Sequence, residues 1–206
     1  MLVKEREFYS KSVKAIVGID EAGRGPLAGP VYAAAVVFDE SFVNDEINDS
    51  KKLTSKEREK LFLLIKEKAL GYGIASVSAE DIDKYNIYQA TKICMMKALS
   101  QIKVPYQLII TDAMPLKDTK VPLIAMVKGD AQCLNVAAAS ILAKVSRDHY
   151  MEELDEKYPE YGFKKHKGYG TKLHMEALEK YGPIDGVHRK SFRPVNELYI
   201  KQGHLF

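Results

Sequence analysis

The chain has 206 residues, 46% of them apolar and 29% charged, with 13 Gly, 8 Pro and no Trp. That composition excludes disorder, collagen and a long coiled coil, and it suits an ordinary globular domain. The 31 Lys and Arg stand against 28 Asp and Glu, and the net charge of +3 by itself identifies no nucleic-acid surface. The excess is unevenly placed, since residues 1–50 carry 5 basic and 9 acidic side chains while residues 51–206 carry 26 and 19. The longest apolar stretch, residues 31–38, is far below the roughly 20 residues of a membrane span, and the N-terminus has no apolar leader. The chain therefore reads as a cytoplasmic monomer with no membrane partner. Cys94 and Cys133 lie far apart, with no CxxC and no His pair nearby, and read as buried free thiols.

In chain order, residues 15–20 (AIVGID) predict a short buried strand ending in acid, and residues 31–38 a second strand across a turn rich in Gly and Pro. Together they form a hairpin. Thr54 with Glu57 is a capping box, and Leu61, Leu64 and Ile65 then share one face of a helix to about residue 69. Residues 71–78 predict a third strand. Residues 78–102 read as helical but broken near Tyr85 and Asn86, with Ile87, Ala90, Ile93 and Cys94 as the buried stripe. Residues 108–112 (LIITD) and 122–127 (PLIAMV) are further strands, the second leading into Lys128, Gly129 and Asp130. Residues 131–158 predict a long helix, apolar nearly all round in its first half and so central. Thr171 caps a shorter helix that stops near Gly182 and Pro183. An opening hairpin followed by strands joined through helices implies an α/β fold, with a mixed sheet flanked by helices and a helical C-terminal part.

Asp20 with Glu21, Asp112 and Asp130 stand where strands end or a helix begins, the usual location of sites in an open α/β sheet. Acids gathered at one sheet edge repel one another, and divalent hard cations with oxygen ligands would relieve that repulsion. Asp130 reads equally well as a helix N-cap. The Gly23-Arg24-Gly25 turn permits close backbone approach to a ligand, and Arg24 offers a phosphate partner, although a plain hairpin connection has the same look. Between Phe163 and Arg193 eight Lys or Arg face three Asp or Glu, interleaved with three His and several aromatics. That mixture suits a phosphate backbone and a sugar face, or merely a solvated basic loop. Tyr169, between two glycines, is exposed and free to stack.

GIDEAGRGPLAGPV at 18–31, DSKKL at 49–53, TDAMPL at 111–116, KGDAQCLNVAAASILAKVSRD at 128–148 and YGFKKHKGYGTKLHMEAL at 161–178, with YGP and HRKSF near the end, resemble bacterial ribonuclease HII. The resemblance runs from about residue 14 to residue 195. It implies a ribonuclease H-like mixed five-stranded sheet flanked by helices: a catalytic core over 1–160 and a basic, helical substrate-binding extension of the same domain over 161–206. It implies that Asp20, Glu21, Asp112 and Asp130 are catalytic acids holding two divalent ions, Mg²⁺ or Mn²⁺, with Asp20 the candidate to bridge both. Many relatives have Asp-Gly-Asn where this chain has Asp112-Ala113-Met114, so a role for that Asn has no residue here. Gly23, Arg24 and Gly25 would recognise a ribonucleotide 2′-hydroxyl and Tyr169 would pack on the neighbouring deoxyribose. Lys51, Ser140, Lys144 and Arg147 would contact phosphates or support the site, and His166 and His188 stand near enough in the motifs to assist.

The implied activity is cleavage of the RNA strand of RNA/DNA hybrids, and cleavage 5′ of a single ribonucleotide in duplex DNA, leaving 3′-hydroxyl and 5′-phosphate ends in support of repair and primer removal. The related ribonuclease HIII typically adds an N-terminal domain for which the 14 or so residues before the first strand leave no room. A non-catalytic module that binds nucleic acid through the basic region alone is the alternative of another class. Gln202, Leu205 and Phe206 resemble the short peptide by which bacterial repair proteins bind the sliding clamp, although a frayed tail has the same composition.

Overall fold

The computed structural model describes residues 4–48 and 50–201. Strand β1 (Ile16–Ala22) is buried over its first five residues, and it pairs antiparallel with β2 (Val31–Val37), which pairs antiparallel with β3 (Gly71–Val77). On its other side β1 pairs in parallel with β4 (Leu108–Asp112), and β4 in parallel with β5 (Leu123–Met126). The strand order β3-β2-β1-β4-β5 is the mixed five-stranded sheet that the hairpin and the later helix-linked strands predict. A central strand covered on both faces must be apolar throughout, and the first acid in β1 is met only at Asp20.

Period-two alternation divides β1 between two cores. Val17 and Ile19 join the cluster under α2 (Ala79–Leu99) with Ile109, Cys94 and Met95, while Ile16 lies with Leu108, Ile110 and Val136 under α3 (Leu134–Lys157). Helix α1 (Ser55–Lys68) begins at the expected capping box: Thr54 Oγ1 accepts from Glu57 N–H at 3.3 Å, and Glu57 Oε2 accepts from Thr54 N–H at 2.7 Å. The break in α2 is also where the sequence puts it. Asn86 has φ 63°, and its Oδ1 accepts from the N–H groups of Tyr88 and Gln89, restarting the helix. Both cysteines are buried and free.

Most element ends fall within a residue or two of the expectation, and two that differ matter for the acids. β1 continues to Ala22, because its ladder with β2 runs on through Asp20, Glu21 and Ala22, so the first two acids lie inside a strand and point to opposite faces. The long helix starts at Leu134 and not at 131, because residues Gly129–Ala131 form a separate 3-10 turn entered through Lys128 at φ 57°. Cys133 precedes α3 and Asp130 is not its cap.

Beyond α3 come α4 (Phe163–His166), α5 (Lys172–Tyr181) and α6 (Val195–Lys201). Tyr161, Phe163, Leu178, Val187, Val195 and Tyr199 bury one cluster with Leu27, Ala28, Met151 and Leu154, so this part is packed on the 23–30 turn and the second half of α3. Among the described residues no helix is long and apolar enough to cross a membrane.

Gly18 packs directly against the start of α3, where an added Cβ would fall 2.2 Å from the Asn135 carbonyl carbon. Gly18→Ala is expected to destabilise the fold by about 3 kcal/mol through backbone displacement. Gly71→Ala, whose Cβ would meet Val104 at 3.4 Å, should stay within about 1 kcal/mol. Urea unfolding of the two variants checks the contrast.

Candidate active site

The parallel register aligns Ile16 with Leu108 and Ile19 with Thr111, and one residue further along Asp20 and Asp112 come side by side on the α3 face. Asp130 arrives from the 3-10 turn after β5. One carboxylate oxygen from each of the three lies within 4.8 Å of the others. Glu21 has the opposite strand parity and stands outside this triad, its Oε1 accepting from Arg24 Nη1 at 3.3 Å while its Oε2 is buried with no hydrogen-bond partner. The four acids of the sequence reading are thus three together and one beside them.

Burial, then the nearby charges of Glu21 and Asp112, push the Asp20 carboxyl well above the usual carboxylate range, and hydrogen bonds from Ser140 and from the Glu21 N–H oppose the shift. Burial raises Glu21 too, against the Arg24 guanidinium. Asp112 Oδ1 accepts from Gly129 N–H at 2.9 Å, which ties β4 to the Asp130 turn. Ala113 adopts φ 52°, a conformation a glycine takes without cost, and Met114 is buried in the α2-side core, so no side-chain amide follows Asp112.

A cleft of 290 Å³ opens beside these acids, lined by Asp20, Glu21 and Asp112 and by all eight substrate residues expected from the sequence: Gly23, Arg24, Gly25, Lys51, Ser140, Lys144, Arg147 and Tyr169. Lys51 Nζ lies 3.6 Å from Asp130 Oδ2. Ser140 Oγ is 2.9 Å from Ser50 Oγ. Lys144 Nζ donates to Asp148 at 2.7 Å, and burial lowers its pKa against the pull of that carboxylate. Tyr169 is half exposed, its ring beside Gly25.

Arg147 does not present itself to a phosphate. Only 1% of it is exposed, and its Nε and Nη2 donate to the carbonyls of Pro30 and Ala28 at 3.1 Å each. Its guanidinium also fills the space that a Cβ on Gly23, at φ 95°, would need. Sequence reasoning missed its counterpart Arg189, which is fully buried and donates to the carbonyls of Gly29, Arg24 and Gly23 at 2.9, 2.9 and 2.6 Å. Burial and the like charge of Arg147 pull Arg189 down to about 9. The HRKSF block held the signal, but its partner lay in the Gly turn at the other end of the chain. Sequence reading also passed over Ser50 and Arg58, which line the cleft; Arg58 Nη1 donates to the carbonyls of Ser50 and Leu53 at 3.0 and 2.6 Å, fixing the turn that carries Lys51.

His166, His174 and His188 are buried, and none of the three lines the cleft. His188 Nδ1 accepts from Ile184 N–H, so its Nε2 carries the hydrogen and donates to His174 Nε2 at 3.1 Å. His174 Nδ1 in turn donates to the Tyr169 carbonyl at 3.0 Å. This neutral relay holds the backbone of Tyr169 and supplies no acid or base to a phosphate. The basic stretch is also less free than its charge suggests, since Lys167 Nζ pairs with Glu152 at 2.7 Å and Lys172 with Glu176 at 3.8 Å.

The ribonuclease H2 from Pyrococcus horikoshii OT3 has the same fold, with a TM-score of 0.79 and 28% identity, over 93% of this chain and 100% of that one. The chain also superposes on a structure of the PCNA:RNase HII complex from Archaeoglobus fulgidus, with a TM-score of 0.71 and 27% identity over 86% and 95% of the two chains. Sheet topology and these likenesses define a ribonuclease H enzyme. The family model for ribonuclease HII matches residues 17–195, and the ribonuclease HII of Acholeplasma laidlawii (strain PG-8A) is 50% identical over 201 residues, 98% of each chain. The chain belongs to the ribonuclease HII family, and with it to the endoribonucleases that act on RNA/DNA hybrids.

Burial, with the neighbouring histidines, lowers His174 to about 4 and His188 to about 3, from 6.5. A depressed histidine contributes stability that is present above pH 6.5 and lost as pH falls toward these values. Glu5, raised by burial from 4.5 to about 7, works in the opposite sense, its contribution fading as pH rises between those values. Replacing one histidine isolates the first slope: His188→Gln is expected to lose less stability than the parent chain between pH 6.5 and pH 4 in urea titrations. Equal losses would contradict the neutral relay.

Proposed function

We propose that this chain is a divalent-metal-dependent endonuclease that cuts the RNA strand of RNA/DNA hybrids and cleaves 5′ of single ribonucleotides in duplex DNA, leaving 3′-hydroxyl and 5′-phosphate ends. The observation that carries this reading is the convergence of Asp20, Asp112 and Asp130 within 4.8 Å at the cleft, with the unpartnered Glu21 Oε2 beside them. An all-oxygen donor set of crowded, partly buried carboxylates fits Mg²⁺ or Mn²⁺ and disfavours softer ions. The four acids would hold two such ions, which when bound supply positive charge to the scissile phosphate and acidify water.

The remaining roles fall to the chain itself. Ser140 orients Asp20. Arg147 and Arg189 occupy the carbonyls of the 23–30 turn and so fix the backbone of Gly23, Arg24 and Gly25, where an approaching ribose meets main chain without a side chain in the way. The 2′-hydroxyl is the group that distinguishes RNA from DNA there. The exposed face of Tyr169 beside Gly25 packs on the next sugar, and Lys51 and Lys144 face the phosphates from α1 and α3 sides of the cleft.

The reading extends to the rest of the chain. Residues 1–160 act as the catalytic core and 161–206 as its substrate-binding extension, in a monomeric enzyme of the cytoplasm serving ribonucleotide repair and primer removal. The buried, unpaired cysteines agree with a reducing compartment. The complex of an archaeal relative with PCNA favours a sliding clamp as partner. The segment proposed to bind it, residues 202–206, lies outside the described residues.

A duplex carrying one ribonucleotide tests the chemistry. Nicking is expected with Mg²⁺ or Mn²⁺, none with EDTA, and Asp20→Asn should lose at least about a thousandfold in rate while keeping its circular dichroism spectrum. Turnover by Asp20→Asn near the parent rate would remove the metal assignment. Tyr169→Ala should lose about tenfold more activity on the single-ribonucleotide duplex than on a long hybrid, at the low end of the about 1 to 3 kcal/mol that an aromatic ring stacked on a base contributes.

A further inference from the structure

Asp130 reaches the acid cluster from a turn with little support of its own. Lys128 enters it at φ 57°, a left-handed conformation unfavourable to a side-chain-bearing residue, and Cys133 offers α3 no side-chain cap. Asp112 holds the Gly129 N–H from the cluster side, and Gln132 ties the turn together from the other. Gln132 Nε2 donates to the carbonyls of Val127 and Lys128 at 2.7 and 3.0 Å, and the Gln132 N–H donates to the Gly129 carbonyl at 3.0 Å. The three residues that precede Asp130 are thereby hydrogen-bonded to one residue that follows it. Gln132 is itself held by the N-terminal 3-10 turn, Lys4–Phe8: Lys4 N–H donates to its carbonyl and Lys4 Nζ to its Oε1, both at 3.1 Å. The same turn supplies the missing helix cap, since the buried Glu5 carboxylate accepts from Asn135 N–H at 3.1 Å.

We infer that Gln132, anchored by Lys4, is a positioning residue that sets the Asp130 carboxylate at the third corner of the metal site. The N-terminal turn is then part of the site's support although it lines none of the cleft. This rests on the assignment of Asp130 as a metal-holding acid. Side chains that orient metal ligands from behind are worth about 10- to 100-fold in metal affinity.

The test is calorimetric titration of Mn²⁺ into the metal-free full chain, with thermal unfolding as a check on the fold. Gln132→Ala and Gln132→Met, which keeps the length without the amide, should each weaken Mn²⁺ binding about tenfold. In nicking assays the half-saturating Mn²⁺ concentration should rise by the same factor, with kcat at saturating Mn²⁺ and the substrate KM unchanged. Lys4→Ala, at an exposed position that cannot unfold the core, should weaken Mn²⁺ binding about two- to threefold. Asp130→Asn serves as the reference. If it loses Mn²⁺ affinity while both Gln132 variants bind within twofold of the parent, the positioning role is overturned and the site assignment stands. If Asp130→Asn binds Mn²⁺ as the parent does, the assignment falls and the inference with it.

Discussion

Asp20 is 5% exposed, and carboxylates on two neighbouring segments stand within 4.8 Å of it. Two like charges about 4 Å apart at an effective dielectric of about 20 repel by roughly 4 kcal/mol, a sizeable fraction of the stability of a domain. No fold gathers such groups by accident of packing. Here the gathering follows from the parallel pairing of β1 with β4 and from the turn that brings Asp130 beneath them, and most of the surrounding polar structure works to contain the repulsion. Ser140 and the Glu21 N–H stabilise the Asp20 charge, Gly129 N–H meets Asp112, Lys51 faces Asp130, and Arg24 faces Glu21. The compensation is incomplete, as the raised Asp20 and the unpartnered Glu21 Oε2 show. A site left short of positive charge is a site prepared for cations.

The second requirement, an exposed main-chain turn of fixed shape, is met by burying two guanidinium groups beneath it. Arg147 from α3 and Arg189 from the C-terminal part take five donor contacts to carbonyls between Gly23 and Pro30, while Leu27 and Gly29 are hydrogen-bonded to Gly168 and Val187. The turn that would read a ribose is therefore locked to the segment that carries Tyr169, whose own carbonyl ends the histidine relay. The acidic and the sugar-reading halves of the cleft meet on α3, which carries Ser140 toward Asp20 and Arg147 toward the turn. That double duty explains why its first half is apolar all round: it has sheet on one side and α1 on the other.

Much of this was legible in the sequence where the determinants are local. The Thr54 capping box, the Asn86 break, the five strands and the gathering of acids near their ends each depend on a few consecutive residues. The separation of Glu21 from the triad depends on where β1 stops, and that is set by its pairing with β2, which no single segment reveals. The start of α3 was misread because apolar periodicity runs back through Ala131, whereas the Lys128 φ of 57° forces a separate turn. Arg189 and the histidines looked like surface chemistry because their partners are distant, 160 residues away for the Gly29 carbonyl, and a buried arginine or a neutral imidazole has the same letter as an exposed one.

The central claim is that the acid cluster costs the metal-free fold stability in exchange for cation binding. A carboxyl raised above its ordinary range contributes stability that fades as pH rises through its folded pKa, so at neutral pH in EDTA the Asp20 carboxyl should oppose folding. The direct measurement is the urea unfolding free energy of the parent chain and of Asp20→Asn at neutral pH, each in EDTA and in Mg²⁺. The account requires the variant to be the more stable of the two in EDTA, and Mg²⁺ to raise the parent's stability well above its effect on the variant. A variant less stable than the parent in EDTA, with no Mg²⁺ effect on either, would contradict it.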